Sequence, residues 1–420
     1  MNRFNKLLNE KNKYVLQASL VFISALIFYC YEFYLRLLTG AYETNIVQHL
    51  HISSHLGFSF LISSYNWTYL LMQIPAGILL DKYGSRKTII LAVIACGAGN
   101  IIFLSTNYEV ALIGRLLVGF GSSFAFVGVL KIAREYFPAH YFSFFASVVI
   151  SIGTLAAAFS QQLSVWVSSF GIQWMSIFYY SGFAAIPIAF FVYISIPKNL
   201  DRSRTKIMPD WSMALKQAYS LIKNKKIWLI ALWGGLLYIP TVILTAQYGV
   251  LYFKSIYQVD RLVATECITY LLMGWVIFSP LISYLTVKFK GSLFFIYSLI
   301  FISALILIAL TYFSGTIKEY LVLIIFLFGC FSAVQVLTWH AFNKSCPLEY
   351  TAIGVAVINM IITLVTEIGQ LASGSMLDWK SGIHFFATNI GFSIPMQFNV
   401  VLFLVAIFLA LVITPKVFKN

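Results

Sequence analysis

The chain has 420 residues, of which 60% are hydrophobic and only 10% charged. Water-soluble domains carry about 25% charged residues, so a soluble globule is excluded, and no polar stretch is long enough to hold a nucleotide-hydrolysing domain. The net charge of +14 suggests a nucleic-acid partner until its distribution along the chain is followed.

Apolar runs of roughly 20 residues, each long enough to cross a hydrocarbon core ~30 Å thick, recur from end to end. They begin near Tyr14, His55, Thr88, Glu109, Phe142, Trp174, Ile227, Leu262, Ser292, Tyr320, Thr351 and Ile394. Continuous apolarity without alternation predicts helices rather than lipid-facing strands. The expected fold class is an all-α membrane protein of twelve transmembrane helices. With the amino terminus inside, 22 of the 28 Lys and Arg fall in cytoplasmic segments, and the outer loops hold only Lys254, Arg261, Lys318 and Lys380. Cationic loops resist translocation, so both termini are expected in the cytoplasm. The positive excess then reports topology and contact with anionic membrane lipids, with no nucleic acid. The first span is long, lacks a small-residue cleavage site and precedes further spans, so no cleavable signal peptide is expected.

Span one contains FYCYEFYLRLL, in which Glu32 and Arg36 are four residues apart on one helix face and Tyr29 lies one turn earlier. Arg36 sits about 33 Å of helix rise into the span. Two readings stand: an ion pair near the outer end with Arg36 reaching to the interface, or a ligand for a substrate carboxylate with Glu32 as its orienting partner or proton carrier. A guanidinium grips a carboxylate through two parallel hydrogen bonds, which lysine cannot reproduce.

Span two offers Asn66, Tyr69 and Gln73 and ends in GILLDKYGSRK, Gly77 to Lys87. There Gly77 permits close helix approach, Asp81 lies at a helix end with loose backbone groups, and Lys82, Arg86 and Lys87 fix the loop inside, with Gly84 between them. Span four contains GRLLVGFGSS, Gly114 to Ser123. An arginine as deep as Arg115 must face the bundle interior or water, and Gly119 and Gly121 let a neighbouring helix pack closely. Span five carries Gln161.

The longest polar interruption, Pro197 to Lys226, divides the spans six and six and includes a short amphipathic piece around Trp211 to Leu221. The expected domains are residues 1–196, a cytoplasmic central loop at 197–226, and residues 227–420. Span seven places Tyr238, Thr241, Thr245 and Tyr248 on one face with Gln247 beside it. After span eight, SPLISYLTVKFKG (Ser279 to Gly291) faintly echoes Gly77 to Lys87, with Val287 where aspartate stood. Span ten adds Gln335 and Trp339, and His340 near the cytoplasmic end is given no catalytic part.

Span eleven repeats Asn359, Thr363, Glu367, Gln370 and Gly374 at three- and four-residue steps. Facing lipid, such a stripe would leave polar groups unpaired in hydrocarbon, so it is expected to line a wet cavity or bond a neighbouring helix. Glu367 is its candidate for an ammonium or a proton. The five cysteines have no metal-binding spacing and read as packing residues. No nucleophile elbow, phosphate loop or paired-histidine site is present, so the chain is expected to be no enzyme and to need no cofactor or metal.

The pattern G-x-L-x-D-[RK]-x-G-x-[RK]-[RK], filled from Gly77 to Lys87, resembles the loop signature of the major facilitator superfamily. Arg115, Gly119 and Gly121 are similar to that family's R-x-x-x-G-x-G pattern. SIGTLAAAFSQQ, Ser151 to Gln162, lacks the proline of its proton-driven drug exporters. YEFYLRLL, YNWTYLLMQIPAGILLDKYGSRK, GVLKIAREYFP and GQLASGSMLDWKSG resemble the phagosomal-transporter subfamily of intracellular bacteria, with Glu367 a departure. The resemblance implies two six-helix repeats with substrate bound between the halves, alternating access, and inward transport of an amino acid or nucleoside. The expected function is import of a small solute, an amino acid first, across the inner membrane with a coupled proton. Arg36 or Arg115 would hold the carboxylate, Glu367 or Glu32 the amine or proton, and Asp81 with Arg86 would help close the cytoplasmic side. An exporter of a siderophore or toxic compound, and a non-transporting receptor, are the alternatives.

Overall fold

The structure is a computed structural model that describes residues 2–52, 55–197, 211–247, 249–346, 351–381 and 393–418. All regular structure among the described residues is helical. The long helices are α1 (Asn2–Ala41), α2 (His55–Tyr83), α3 (Ser85–Ile102), α4 (Tyr108–Tyr136) and α5 (Phe142–Ser169). Then follow α6 (Trp174–Phe183) and α7 (Ala185–Ser195), which share one span, and the amphipathic α8 (Trp211–Lys223). Further along lie α9 (Lys225–Val242), α10 (Gly249–Tyr257), α11 (Arg261–Lys288), α12 (Leu293–Tyr312), α13 (Leu321–Ser332), α14 (Leu337–Asn343), α15 (Thr351–Ser381) and α16 (Ser393–Phe418), with short unlabelled helices at Glu43–His49 and Ser314–Ile317. Eleven stretches among the described residues are long and apolar enough to cross a membrane. With α2, a further helix of 29 residues, they account for the twelve expected spans.

Side-chain caps set several of the helix starts. Asn107 accepts from the backbone N–H of Glu109 and Val110 at the start of α4, Asn224 from Lys226 at α9, and Asp260 from Val263 at α11. Each satisfies donors that a first helical turn leaves open. Between α2 and α3 the chain turns on Gly84 alone, whose φ of 82° is open to glycine and strained for other residues. Two spans are not continuous α-helix. α9 contains Pro240 and passes through a π-helical turn, Ile243–Gln247, toward α10. α13 passes into α14 through a 3₁₀ turn, Ala333–Val336, which carries Gln335. Such mid-span irregularities are tolerated in membranes where the freed backbone is buried in protein or lines water, and they concentrate at functional sites.

The chain forms two compact units. The first comprises Met1–Ala139, Leu155–Leu221 and Pro347–Val357, so it includes the opening turns of α15. The second comprises His140–Thr154, Ile222–Cys346 and Ile358–Asn420, so it includes the opening turns of α5. In the first unit α4 is pressed between α2 and α3. A Cβ added at Gly119 would lie 2.5 Å from the Tyr65 carbonyl oxygen, and one at Gly121 2.5 Å from that of Ala92. Small residues thus provide the close contact, as the sequence predicts. In the second unit Ser151 of α5 bonds Ser279 of α11 at 2.6 Å, and Ser143 lies 3.2 Å from Nδ1 of His340. Large apolar side chains such as Leu71, Leu91 and Phe294 remain exposed, as expected where lipid is the solvent. All five cysteines are free thiols.

Candidate functional site

Three helices of the first unit converge on one ionic cluster. α1 contributes Glu32 and Arg36 one turn apart, α2 contributes Tyr65, and α4 contributes Arg115. Glu32, Tyr65 and Arg115 are each 1% exposed. The Tyr65 hydroxyl donates to Oε2 of Glu32 at 2.9 Å. Both guanidiniums stack on the same phenol, with Arg36 5.4 Å and Arg115 5.1 Å from its ring centroid. Arg36 also lies 6.0 Å from the rings of Phe33 and Tyr69, and Arg115 lies 5.9 Å from that of Phe103. Weakly hydrated and planar, a guanidinium is suited to such stacking. Arg115 further donates from one terminal nitrogen to the Leu35 carbonyl at 3.4 Å, while its Nε has no hydrogen-bond partner. Arg36 is half-buried among aromatic rings.

The sequence reading brought Glu32, Arg36 and Arg115 forward but missed Tyr65, the residue that joins them. Its signal was available: Tyr65 and Tyr69 are four residues apart, and a buried phenol in a membrane helix needs a polar partner. Tyr29 is buried one turn below Glu32, its ring 5.0 Å from Phe33 and 5.6 Å from Phe126, and forms an aromatic wall. Asn66 is exposed, whereas Gln73 is fully buried. On the second unit Gln335 is buried in its 3₁₀ turn, Asn359, Thr363 and Gln370 are half-buried, and Glu367 is exposed beside Leu364, Ile368 and Leu371. The side chains of Gln161 and Gln247, Gly374, and the whole of Tyr248 lie outside the described residues.

At the other end of α2 lies a second charged group. Lys131 of α4 is 4% exposed and donates to Oδ1 of Asp81 at 2.9 Å and to the Leu80 carbonyl at 2.8 Å. Glu135, one turn further along α4, lies 3.5 Å from the same ammonium. Oδ2 of Asp81 accepts from the backbone N–H of Ile353 at 3.1 Å. Asp81 therefore satisfies a helix end, as its position suggested, but that of α15 and not of its own helix. Gly77 makes the approach possible, since a Cβ there would lie 2.8 Å from the Ala352 carbonyl oxygen. Arg86 stacks 4.2 Å from the Tyr193 ring and Lys82 5.7 Å from that of Tyr83. In the sequence, the one-turn spacing of Lys131 and Glu135 is the signal that points to this group.

The sequence profile of the Major Facilitator Superfamily matches residues 19–370. The chain is 27% identical to the probable galactarate/D-glucarate transporter GudP of Escherichia coli K12, over 32% of this chain and 31% of that protein. It is 31% identical to the human facilitated glucose transporter member 12 of solute carrier family 2, over 24% and 18% of the two chains. The matched stretches thus span a third or less of the length of these relatives. Among solved structures, the outward-facing bacterial homologue of ferroportin matches with a TM-score of 0.69 at 14% identity, covering 94% of this chain and 99% of that one. The E. coli fucose:proton symporter FucP matches at 0.64 and 15%, covering 93% and 98%. At such identities these structures establish the fold alone, and the profile match, which spans most of the chain, marks a multi-pass membrane transporter rather than an enzyme: the chain belongs to the Major Facilitator Superfamily.

Proposed function

We propose that this secondary transporter imports a small hydroxylated carboxylate, with sugar acids as the first class, by proton symport across the bacterial inner membrane. The observation that carries the reading is the pair of guanidiniums stacked on Tyr65, the phenol that donates to Glu32. Arg115 is fully buried and Arg36 half-buried on that one ring, so their positive potential is concentrated in one low-dielectric region. A solute carboxylate offsets it, and the planar fork of Arg115 or Arg36 suits bidentate capture. A neutral amino acid would bring an ammonium as well, which that potential disfavours. Within this cluster its acidic partner would be Glu32, the group assigned here to the coupled proton. Relatives of this chain named as galactarate/D-glucarate and D-galactonate transporters support the same solute class. The likeness of spans one and two to amino-acid and nucleoside importers keeps amino acids as the second class to test.

In this reading Glu32 carries the coupled proton and the protein works by alternating access. Asp81, held by Lys131 and Ile353, closes the cytoplasmic end of α2 together with Gly77 and Arg86, and Lys82, Gly84 and Lys87 complete that loop. Both termini lie in the cytoplasm. Gln335, Asn359 and Glu367 are the solute-pathway candidates of the second unit.

The test is uptake by purified protein in proteoliposomes with an alkaline interior. Labelled galactonate and galactarate are expected to accumulate, glucose is not, and collapsing the gradient with a protonophore is expected to abolish accumulation. Uptake of neutral sugar in preference to both acids would overturn the carboxylate reading, and uptake of alanine in preference to both acids would favour the amino-acid class.

A further inference from the structure

Gln73 of α2 is fully buried, and neither its Oε1 nor its Nε2 has a hydrogen-bond partner. Buried side-chain amides in folded proteins are nearly always paired, so an orphaned one calls for a reason. Its place on the helix supplies one. Along a single face of α2 exposure falls in steps, from Asn66, which is exposed, through Tyr69, half-buried, to Gln73. One turn further, at Gly77, the helix touches the opening turn of α15 at Ala352. An exposed amide on a membrane helix is stable against water, not hydrocarbon, so the Asn66 stretch is wet. Gln73 is the first sealed layer beneath it. Eight residues, about 12 Å of rise, separate it from Tyr65 in one direction and from Asp81 in the other.

Resting on the carboxylate reading above, we propose that Gln73 reads a hydroxyl of the transported solute, its amide being completed when α2 and the opening turns of α15 part at Gly77. A hydroxyl both donates and accepts, so it answers either half of a primary amide, whereas a methylene answers neither. Apolar packing discriminates weakly between substrates that differ by one hydroxyl, but a site built to bond that hydroxyl rejects the analogue lacking it. Gln73 is thus the residue that separates a polyhydroxylated acid from its deoxy counterpart. The same orphaned amide makes the sealed arrangement less stable than an apolar side chain would, and that consequence can be read without any solute.

The experiment compares full-length wild type with Gln73→Leu, which has similar bulk and no polar atoms, in lipid nanodiscs and proteoliposomes. Without solute, Gln73→Leu is expected to melt roughly 2 °C or more above wild type. In uptake, the ratio of kcat/KM for galactarate over adipate, the same chain without hydroxyls, is expected to fall about tenfold, equivalent to about 1.4 kcal/mol. An unchanged or lowered melting temperature would show that the amide is paired in the sealed state and overturn the proposal. So would an unchanged galactarate-to-adipate ratio in a variant that still transports both. If wild type takes up neither acid, the carboxylate reading itself fails and this proposal falls with it.

Discussion

Asp81 and Ile353 are 272 residues apart in sequence, yet a carboxylate oxygen of the first accepts the backbone N–H of the second at 3.1 Å. The other oxygen of Asp81 takes the ammonium of Lys131 at 2.9 Å. One side chain therefore ties α2 to α4 by charge and to the start of α15 by a capping hydrogen bond. An N-terminal helix end carries partial positive charge, so the carboxylate is favoured there on both counts.

Breaking this group is expected to be costly. Asp81→Ala removes the nearer carboxylate from the buried Lys131 and uncaps Ile353, with an expected loss of about 3 kcal/mol or more. Asp81→Asn keeps the cap and loses the charge, so it is expected to lie between that variant and wild type. Asp81→Leu with Lys131→Met removes both charges and is expected to recover most of the loss, as replacement of buried pairs by apolar residues does. Thermal unfolding in nanodiscs orders the four proteins; a double variant less stable than Asp81→Ala would contradict the account.

Arg115→Lys is expected to lower kcat/KM for the carboxylate solute at least tenfold, about 1.4 kcal/mol, because lysine neither stacks on Tyr65 nor forms a fork. Arg36→Lys is expected to abolish uptake with the fold intact. Monodispersity on size exclusion controls for folding. Wild-type transport by Arg36→Lys would remove Arg36 from the binding site.

Glu32→Gln preserves an acceptor for Tyr65 and removes the titratable group. It is expected to lose uptake driven by a pH gradient while retaining exchange of labelled for unlabelled solute across the membrane. Gradient-driven accumulation equal to wild type would exclude Glu32 as the proton carrier.

Tyr65→Phe removes the hydroxyl that Glu32 accepts and keeps the ring on which both guanidiniums stack. A buried carboxylate short of one hydrogen bond is expected to cost roughly 1–3 kcal/mol of stability, read as a fall in melting temperature. Phe retention of the stacked arginines predicts that solute binding, measured by calorimetry, weakens less than in Arg115→Lys.

Gly121→Val is expected to abolish folded protein. A Cβ there would meet both the Ala92 carbonyl oxygen and the Cys96 sulfur at 2.5 Å, and two backbones in a packed membrane bundle have no room to yield. Expression followed by size exclusion is the check; recovery of well-folded protein would show that α3 and α4 have slack between them.

The helices were legible in the sequence because lipid imposes a local rule. Every backbone group in hydrocarbon must be satisfied within its own segment, so runs of apolar residues mark their own ends, and α5, α6 and α15 begin at Phe142, Trp174 and Thr351 as expected. Glu32 with Arg36 was visible for the same reason, since charge inside a span is expensive and one-turn spacing is readable by eye. What could not be read was partnership. Whether Lys131 is solvated or buried against Asp81, whether Tyr65 is bulk or the hinge of an ionic cluster, and whether Gln73 is paired all depend on which helices lie side by side. Those neighbours are set by packing between segments far apart in the chain, through glycines at Gly77, Gly119 and Gly121 whose Cβ-free surfaces admit a backbone. Composition and spacing decided that the chain crosses a membrane as helices; only the tertiary contacts decided which of its charges meet, because Coulomb energy depends on separation in space and the sequence records separation along the chain.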